Sequence, residues 1–329
     1  MRRRDFIKAV TAATAWPLIA RAQQGERKRV VGVLMAYAES DPIAQSFVAT
    51  FGDELTRLGW TRDGKLQIEL RWGAGNPDRI RALAKELVNL QPDAILGQDT
   101  AATQALAGET KTIPIVFAVA ADPIGSGFAA KLAHPGGNIT GFASTDSGLG
   151  GKWVELLKEI APHTTHVAVL FNPATASASQ SYIPSIQAAA SSVAIRLSSA
   201  PVRAKDEIEN SIAAQASNPG GGLIAMPDPF NTINRDFIVA MAARYSVPAI
   251  YYNRVFAKSG GLISYGIDFA ESYRLAAGYI DRILKGASPA DLPVQQPTKY
   301  ELAINVKTAK ALGLDVPLHL QQFANEVIE

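Results

Sequence analysis

The sequence predicts an α/β protein with two lobes, each built on an open and mostly parallel β-sheet flanked by helices. Short apolar runs alternate with longer segments of helical period along most of the 329 residues, which is the pattern of parallel strands joined by helices. This pattern begins at Arg29 and starts again after Gly141, and the length corresponds to two domains of ordinary size. An apolar share of 47% is enough to fill two cores.

The first half of the chain opens with a strand, because Val30 to Met35 is a continuous apolar run of the kind that is buried on both faces. Ser40-Asp41-Pro42 predicts the start of a helix, since a capping oxygen precedes proline at the first helical position, and Gly59 predicts its end. Apolar β-rich runs and apolar stripes of helical period predict the rest of this half. These elements are strands 66–72, 94–96 and 113–118 and helices 78–90 and 101–107.

The second half repeats the alternation by the same two criteria. Its predicted helices are 151–160, 180–191, 207–216 and 234–245, and its predicted strands are 167–171, 193–197, 222–226 and 248–251. A further strand and helix, 262–267 and 269–284, follow, and a final strand and helix, 301–305 and 308–312, end the pattern. Two halves of similar size therefore predict the two lobes.

Segment 1–22 resembles a twin-arginine export signal. Arg2-Arg3-Arg4-Asp5-Phe6-Ile7-Lys8 precedes an apolar stretch that is too short to span a bilayer, and Ala20-Arg21-Ala22 is a small-x-small cleavage site. The alternative is an uncleaved membrane anchor, whereas a chain without cysteine has no lipoprotein anchor, thiolate metal site or disulfide. We therefore expect cleavage between Ala22 and Gln23 and a protein that is exported to the periplasm.

The net charge of the chain after this segment excludes a nucleic-acid partner. The whole chain carries +2, but residues 1–22 contain five basic side chains and one acidic side chain, so the remainder carries −2. A nucleic-acid binder needs a basic surface, and none is expected here. We expect no nucleic-acid partner.

Catalytic, cofactor and metal motifs are absent from the sequence. The four histidines are scattered, and no pair has the spacing of metal ligands on a helix. Residues 125–130 match a dinucleotide-binding motif by letter, but they lie several residues past their strand and lack the acidic residue that should follow. No phosphate-binding loop or nucleophile elbow is present. The sequence therefore predicts no catalytic residue, no cofactor and no metal.

Polar and aromatic residues follow the predicted strands at their carboxyl ends, which is where open α/β sheets bind ligands. As an alternative for three of the positions, Asp41, Thr100 and Asp268 act only as helix caps, although a cap needs no tyrosine or phenylalanine beside it. The candidate ligand-binding residues are Tyr37, Asp99, Thr100, Asp122, Thr145, Asn172, Asp228, Phe230, Tyr252, Tyr265 and Asp268.

Four motifs resemble the substrate-binding proteins of ABC transporters, in the group that includes tryptophan- and tyrosine-binding members. They are Ala121-Asp122-Pro123-Ile124-Gly125 with His134-Pro135-Gly136-Gly137-Asn138-Ile139-Thr140-Gly141, Tyr265-Gly266-Ile267-Asp268 with residues 279–286, residues 291–302, and residues 307–314. The resemblance implies a type I periplasmic-binding-protein fold, with two lobes joined by three crossings and closing on a small molecule. Gln98-Asp99, where small residues are usual, and Ile267, where proline is frequent, depart from the common pattern.

By position, the resemblance places the crossings near residues 142–144, 260–264 and 298–301. Lobe 1 would then contain residues 29–142 and 262–297, and lobe 2 would contain residues 143–261 and 298–329. The expected function is ligand capture for an ABC importer, with an ABC permease of the inner membrane as partner, and the protein is expected to be a monomer.

The expected ligand is an amino acid, with aromatic amino acids included, or a small carboxylate. Helix N-termini and the hydroxyls of Thr100 and Thr145 would bind a carboxylate, while Asp122, Asp228 and Asp268 would pair with an ammonium group. Tyr37, Phe230, Tyr252 and Tyr265 would contact an apolar or aromatic body. Two other functions stay open: an exported α/β hydrolase with Ser144 or Ser264 as nucleophile, and the effector domain of a regulator or receptor.

Overall fold

The computed structural model describes residues 28–61, 64–144, 146–176 and 179–329, and its strands form two sheets. The predicted signal segment 1–22 and the candidate Thr145 lie outside the described residues. No helix in the described ranges combines the length and apolar character needed to cross a membrane.

The first sheet has five strands, all parallel. They are β1 (Arg29–Met35), β2 (Leu66–Trp72), β3 (Ala94–Asp99), β4 (Ile115–Ala120) and β5 (Ile139–Ala143). Their spatial order is β2-β1-β3-β4-β5, and the connecting helices are α1 (Pro42–Arg57), α2 (Pro77–Asn89) and α3 (Thr100–Glu109). Caps fix the starts of these helices, because the Asp41, Asn76 and Asp99 side chains accept backbone N–H groups of the first turn.

The second sheet has seven strands. They are β6 (His166–Phe171), β7 (Arg196–Pro201), β8 (Gly221–Ala225), β9 (Ala249–Tyr251), β10 (Ile263–Ile267), β11 (Tyr300–Asn305) and β12 (Glu326–Ile328). Their order is β12-β11-β10-β9-β8-β6-β7, and every neighbouring pair is parallel except β10 with β11.

Nine helices of the described chain follow Ala143 in sequence. They are α4 (Leu149–Ile160), α5 (Ser179–Ser192), α6 (Lys205–Ala216), α7 (Pro229–Ile233), α8 (Arg235–Arg244), α9 (Arg254–Lys258), α10 (Phe269–Leu284), α11 (Val306–Ala311) and α12 (Leu318–Phe323). Of these nine helices, α10 packs on the first sheet, because its buried residues Tyr273, Ala276 and Ile280 belong to the core beside that sheet. A short 3-10 turn, Pro289–Asp291, follows it.

The second crossing between the lobes lies later in the chain than the sequence suggested. Residues 262–267 were expected in lobe 1, but β10 pairs with β9 and β11 in the second sheet. The chain returns to the first lobe at Asp268, between β10 and α10. The first crossing follows β5, and the third runs from Gln295, which bridges to Phe142 of the first lobe, to Tyr300 at the start of β11.

Each sheet is covered by apolar side chains from both sides. Phe51 and Leu55 of α1 and Tyr273 of α10 pack on one face of the first sheet, and Ile80 and Leu106 pack on the other. The second sheet is buried under a larger core that includes fully buried side chains of α4 and α5. Because both faces are covered, the open surface of each sheet is its strand ends.

Candidate functional site

A cavity of about 440 Å³ lies at the carboxyl ends of the strands and is lined by residues of both lobes. This volume is within the usual range for small-molecule sites, about 300–1,000 Å³. The polar and aromatic residues that line it are Tyr37, Gln98, Asp99, Thr100, Gln104, Ser126, Ser144, Thr175, Tyr182, Asp228, Thr232, Tyr252 and Phe269. Two of the described lining residues are acidic, and none is lysine, arginine or histidine.

Asp99 stands at the end of β3 and at the start of α3. Its Oδ1 accepts the N–H of Ala102 at 2.8 Å, which caps the helix. Burial raises the pKa of the Asp99 carboxyl, and hydrogen bonds from the backbone of Ala101 and Ala102 oppose this in part. Ionisation of the Asp99 carboxyl group therefore carries a desolvation cost.

Asp228 is the second acid and is held by three donors. Its Oδ2 accepts the N–H of Asn172 at 2.6 Å, while Oδ1 accepts the Thr175 hydroxyl at 2.5 Å and the Phe230 N–H at 2.9 Å. Burial raises the pKa of the Asp228 carboxyl, and these donors lower it. The carboxylate joins the loop after β6 to the start of α7.

Tyrosine hydroxyls from the two lobes meet at Thr232 in the cavity wall. Tyr37 follows β1, Tyr252 follows β9, and each hydroxyl makes a hydrogen bond with the Thr232 side chain. Burial raises the pKa of both tyrosines, so both are neutral at ordinary pH. Their rings, with those of Tyr182 and Phe269, give the cavity an aromatic wall.

Neutral side chains at the edge of the first sheet are also fixed. The Gln98 side chain is buried and its Oε1 accepts the Ala36 N–H at 2.6 Å, which ties the ends of β1 and β3 together. Thr100 Oγ1 accepts the Ala121 N–H at 2.8 Å and so connects β3 with the segment after β4. This part of the cavity wall is ordered by hydrogen bonds within the protein.

An ion pair connects the lobes beside the cavity. Arg235 Nη1 of α8 lies 2.9 Å from Asp41 Oδ2, at the start of α1, and both side chains are only 10% exposed. Arg235 also donates to the carbonyl of Thr232 at 3.0 Å. The pair therefore belongs to the same set of contacts as the tyrosine hydroxyls.

Five of the predicted site residues line the cavity: Tyr37, Asp99, Thr100, Asp228 and Tyr252. Asn172 and Phe230 contact Asp228 through their backbones and do not line it.

Three other candidates are not among the residues that line the cavity. Asp122 lies on an exposed turn and accepts the N–H of Gly125. Tyr265 stacks on Tyr300, with ring centroids 6.0 Å apart. Asp268 caps α10 and lies 3.0 Å from Lys299 Nζ, so its charge already has a partner within the protein.

Sequence reasoning missed several lining residues, including Gln104, Thr175, Tyr182, Thr232 and Phe269. Thr232 and Tyr182 lie inside helices and not directly after a strand. The sequence did contain one indication of Thr232. Asp228-Pro229 predicts the start of a helix, and a short helix at that position keeps Thr232 near the same end of the sheet as Asp228.

The structure gives the hydrolase hypothesis no support. Ser264 is completely buried, and its hydroxyl has no hydrogen-bond partner among the described residues. Ser144 lines the cavity, but no histidine is among the described lining residues to act as its base. In the described ranges, no group of three or more His, Asp or Glu side chains is arranged to hold a metal ion.

Comparison with solved structures supports the two-lobed architecture. A Streptococcus pneumonia ABC domain in complex with L-Trp matches with a TM-score of 0.84 and 26% identity, over 92% of this chain and 100% of that one. A conserved domain protein from Vibrio cholerae matches with the same score, identity and coverage. The fold is that of the type I periplasmic binding proteins.

Sequence comparison agrees with the structural one. The Tyrosine-binding protein of Clostridioides difficile (strain R20291) is 23% identical over 300 residues, which are 88% of this chain and 82% of that protein. The family model described as ABC transporter substrate binding protein matches residues 35–328, which include every strand after β1 and every described residue of the cavity. The chain therefore belongs to the family of ABC transporter substrate-binding proteins.

Proposed function

We propose that this protein captures an amino acid with an aromatic or apolar side chain for an ABC importer, in the cavity between its lobes. The observation that carries the proposal is the composition of the cavity wall, with two acidic side chains and four aromatic rings. An ammonium group is stabilised by the carboxylates, and a ring of the ligand packs against the tyrosines and Phe269. A carboxylate ligand without an ammonium group is less well matched, because it would meet Asp99 and Asp228.

Two relatives support this ligand class by what they bind. One is the protein solved with L-Trp, and the other is the Tyrosine-binding protein. Asp99 departs from the small residue that is usual at its position, so the ligand of this chain need not be either amino acid. Tyr37, Asp99, Asp228 and Tyr252 are the proposed ligand contacts.

Ligand capture is proposed to proceed by closure of the lobes around the three crossings, at residues 144–148, at Asp268 and at residues 296–299. Lobe 1 then contains residues 29–143 and 269–295, and lobe 2 contains most of the rest. Closure removes water from the cavity, which strengthens the attraction between an ammonium group and the carboxylates. The Asp41–Arg235 pair joins the two lobes, so opening of the lobes would break it.

Export to the periplasm is part of the same proposal. Arg3-Arg4 and the cleavage site at Ala20-Arg21-Ala22 support a twin-arginine signal. Replacing both arginines with lysine is expected to leave precursor in the cytoplasm, as detected by fractionation and by N-terminal sequencing of the secreted form. Secretion of the uncleaved double-lysine variant would contradict both the route and the compartment.

A binding experiment tests the ligand class. The protein from Gln23 onward is heated with L-tryptophan, L-tyrosine, L-phenylalanine, L-leucine and benzoate. A ligand at 100 times its Kd stabilises the native state by about 2.7 kcal/mol if it binds only that state. An increase in Tm with an aromatic or apolar amino acid is expected, together with a decrease in the radius of gyration; stabilisation by benzoate alone would refute the proposal.

A further inference from the structure

We infer that the cavity recognises its ligand through a cationic amine and not through a carboxylate, so that an arylalkylamine binds at least as tightly as the amino acid with the same ring. The inference rests on the proposed function of this cavity and narrows its substrate class. It follows from an account of which donors and acceptors of the described cavity wall are already used within the protein.

Several hydroxyl donors of the described wall are directed at protein acceptors. Thr175 donates to Asp228 at 2.5 Å, and Ser126 donates to the carbonyl of Ala121 at 3.3 Å. Tyr182 donates to the carbonyl of Ser144 at 3.4 Å. Thr232 shares its hydroxyl with the tyrosine hydroxyls described above. A ligand carboxylate would have to break these bonds to obtain the same donors.

The helices that begin at the cavity already have side-chain caps, which makes their N-termini poorer sites for a ligand anion. α2, α3, α7 and α10 are each capped by the side chain that precedes them, namely Asn76, Asp99, Asp228 and Asp268. Three of these caps are carboxylates, which occupy the position that a ligand carboxylate would take at a helix N-terminus. A second negative charge there would be repelled.

The remaining amides of the wall do not select for an anion. Gln98 and Gln104 line the cavity, and a carboxamide donates to a neutral carbonyl or hydroxyl as well as to a carboxylate. No lysine, arginine or histidine is among the described lining residues to supply a positive charge. The described wall therefore carries a net negative charge, which favours binding of a cationic ligand.

Asp99 is the acid with capacity left for the amine. Asp228 accepts three strong hydrogen bonds from its own lobe, whereas the donors to Asp99 are backbone N–H groups of one helix turn. A carboxylate has about four acceptor positions, and the backbone donors to Asp99 occupy at most three of them, so one position remains for a ligand amine. The structure thus divides the two acids: Asp99 binds the amine, and Asp228 orders the loop beside it.

Calorimetric titration of three compounds with one ring system tests the inference: tryptamine, L-tryptophan and indole-3-propionate. The first has only the amine, the second has both groups, and the third has only the acid. The expected result is a tryptamine Kd equal to or below that of L-tryptophan, and at least about a hundredfold weaker binding of indole-3-propionate. Tyramine and L-tyrosine repeat the comparison with a smaller ring.

The variant Asp99→Asn assigns the effect to one side chain. Asparagine caps a helix about as well as aspartate, so the fold is retained and is checked by Tm. Removing one partner of a buried charge pair costs about 2–5 kcal/mol, so tryptamine should bind at least about thirtyfold more weakly. Asp122→Asn is the matched control, because it makes the same change on an exposed turn and should leave every Kd unchanged.

The outcomes separate this inference from the proposed function. If L-tryptophan binds and tryptamine binds more than about tenfold more weakly, the inference is wrong and the proposed function stands. If Asp99→Asn weakens neither amine, the assignment to Asp99 is wrong. If none of the five compounds binds, both the inference and the aromatic ligand class are overturned.

Discussion

Breaking the ion pair between Asp41 and Arg235 is expected to weaken ligand binding by shifting the lobes toward the open state. The two groups belong to different lobes and lie 2.9 Å apart in this structure. In the open state both would be solvated separately. A ligand that binds the closed state then has an apparent Kd that rises as the closed fraction falls.

The structure sets the magnitude of this effect. Exposed pairs contribute about 0.2–1 kcal/mol, and truncating one partner of a buried pair costs about 2–5 kcal/mol. At 10% exposure of each side chain, the pair lies near the buried limit, so we expect about 2 kcal/mol, or roughly thirtyfold in affinity. Arg235 also donates to the Thr232 carbonyl, so a single substitution of Arg235 removes more than the pair.

A double-mutant cycle isolates the pair from that second contact. Asp41→Asn keeps the cap of α1, in which Oδ1 accepts the N–H of Ile43 at 2.9 Å, and Arg235→Gln removes the other charge. Both variants and the double variant are titrated with the aromatic ligand that binds the wild type best. A coupling energy below about 0.5 kcal/mol would refute a role for the pair in closure.

An ion pair inside one lobe supplies the control. Arg254 Nη1 lies 3.1 Å from Glu301 Oε1, and both belong to the second lobe. Arg254→Gln should leave affinity unchanged. Since the chain has no cysteine, spin labels at cysteines introduced at Lys85 and Gln187, which are exposed on opposite lobes, report the distance between lobes without ligand. Asp41→Asn should lengthen that distance.

Four substitutions test the stability of the site and of the elements around it. Asp228→Asn should lower the free energy of unfolding by about 1–3 kcal/mol. The Asn172 N–H now donates a hydrogen bond to the carboxylate, and the amide NH2 of asparagine cannot accept it. An unchanged denaturation midpoint would contradict this. Asp99→Asn should make the ligand-free protein at least as stable as wild type at pH 7. The native carboxyl has a raised pKa, so wild-type stability falls as pH rises through that pKa, and the difference in Tm should vanish in acid. Gly266→Ala should destabilise the second lobe, since a Cβ would lie 1.7 Å from the Tyr252 carbonyl oxygen, whereas Gly278→Ala has open space and should raise Tm.

The elements with strong local patterns were predicted within a few residues. Strand 66–72 and helix 269–284 coincide with β2 and α10. β3 extends to Asp99, three residues past its predicted end, because Gln98 is polar and nevertheless turns inward to bond Ala36. A pattern of apolar residues cannot predict that a polar side chain is buried because it makes a hydrogen bond.

β5 was missed because tertiary contacts form it. The strand contains Thr140 and Gly141, which weaken its apolar pattern. Thr140 donates to the Leu292 carbonyl at 2.6 Å, and Gly141, at φ 151°, lies so close to Phe117 that a Cβ would be 2.2 Å from its carbonyl oxygen. Both partners are distant in sequence, so no local pattern contains them.

The site was predicted in its location and only in part in its residues. Asp99, Asp228 and Asp268 all follow strands and cap helices, so the sequence cannot separate them. The distinction comes from Lys299, which pairs with Asp268 across 31 positions of sequence. Charge partners of this kind depend on how β10 and β11 pair, and that pairing is a property of the whole fold.

The charges of the closed state suggest why ligand and closure would depend on each other. Closing the lobes desolvates Asp99 and Asp228, and no basic side chain in the described wall compensates them, so closure without ligand carries an electrostatic cost. The Asp41–Arg235 pair and the hydroxyls at Thr232 act in the opposite direction. The positive charge of a bound amine would offset the cost of burying the two carboxylates and would therefore shift the equilibrium toward closure. A neutral ring compound of the same shape should therefore bind without closing the lobes, which the label distance measures directly.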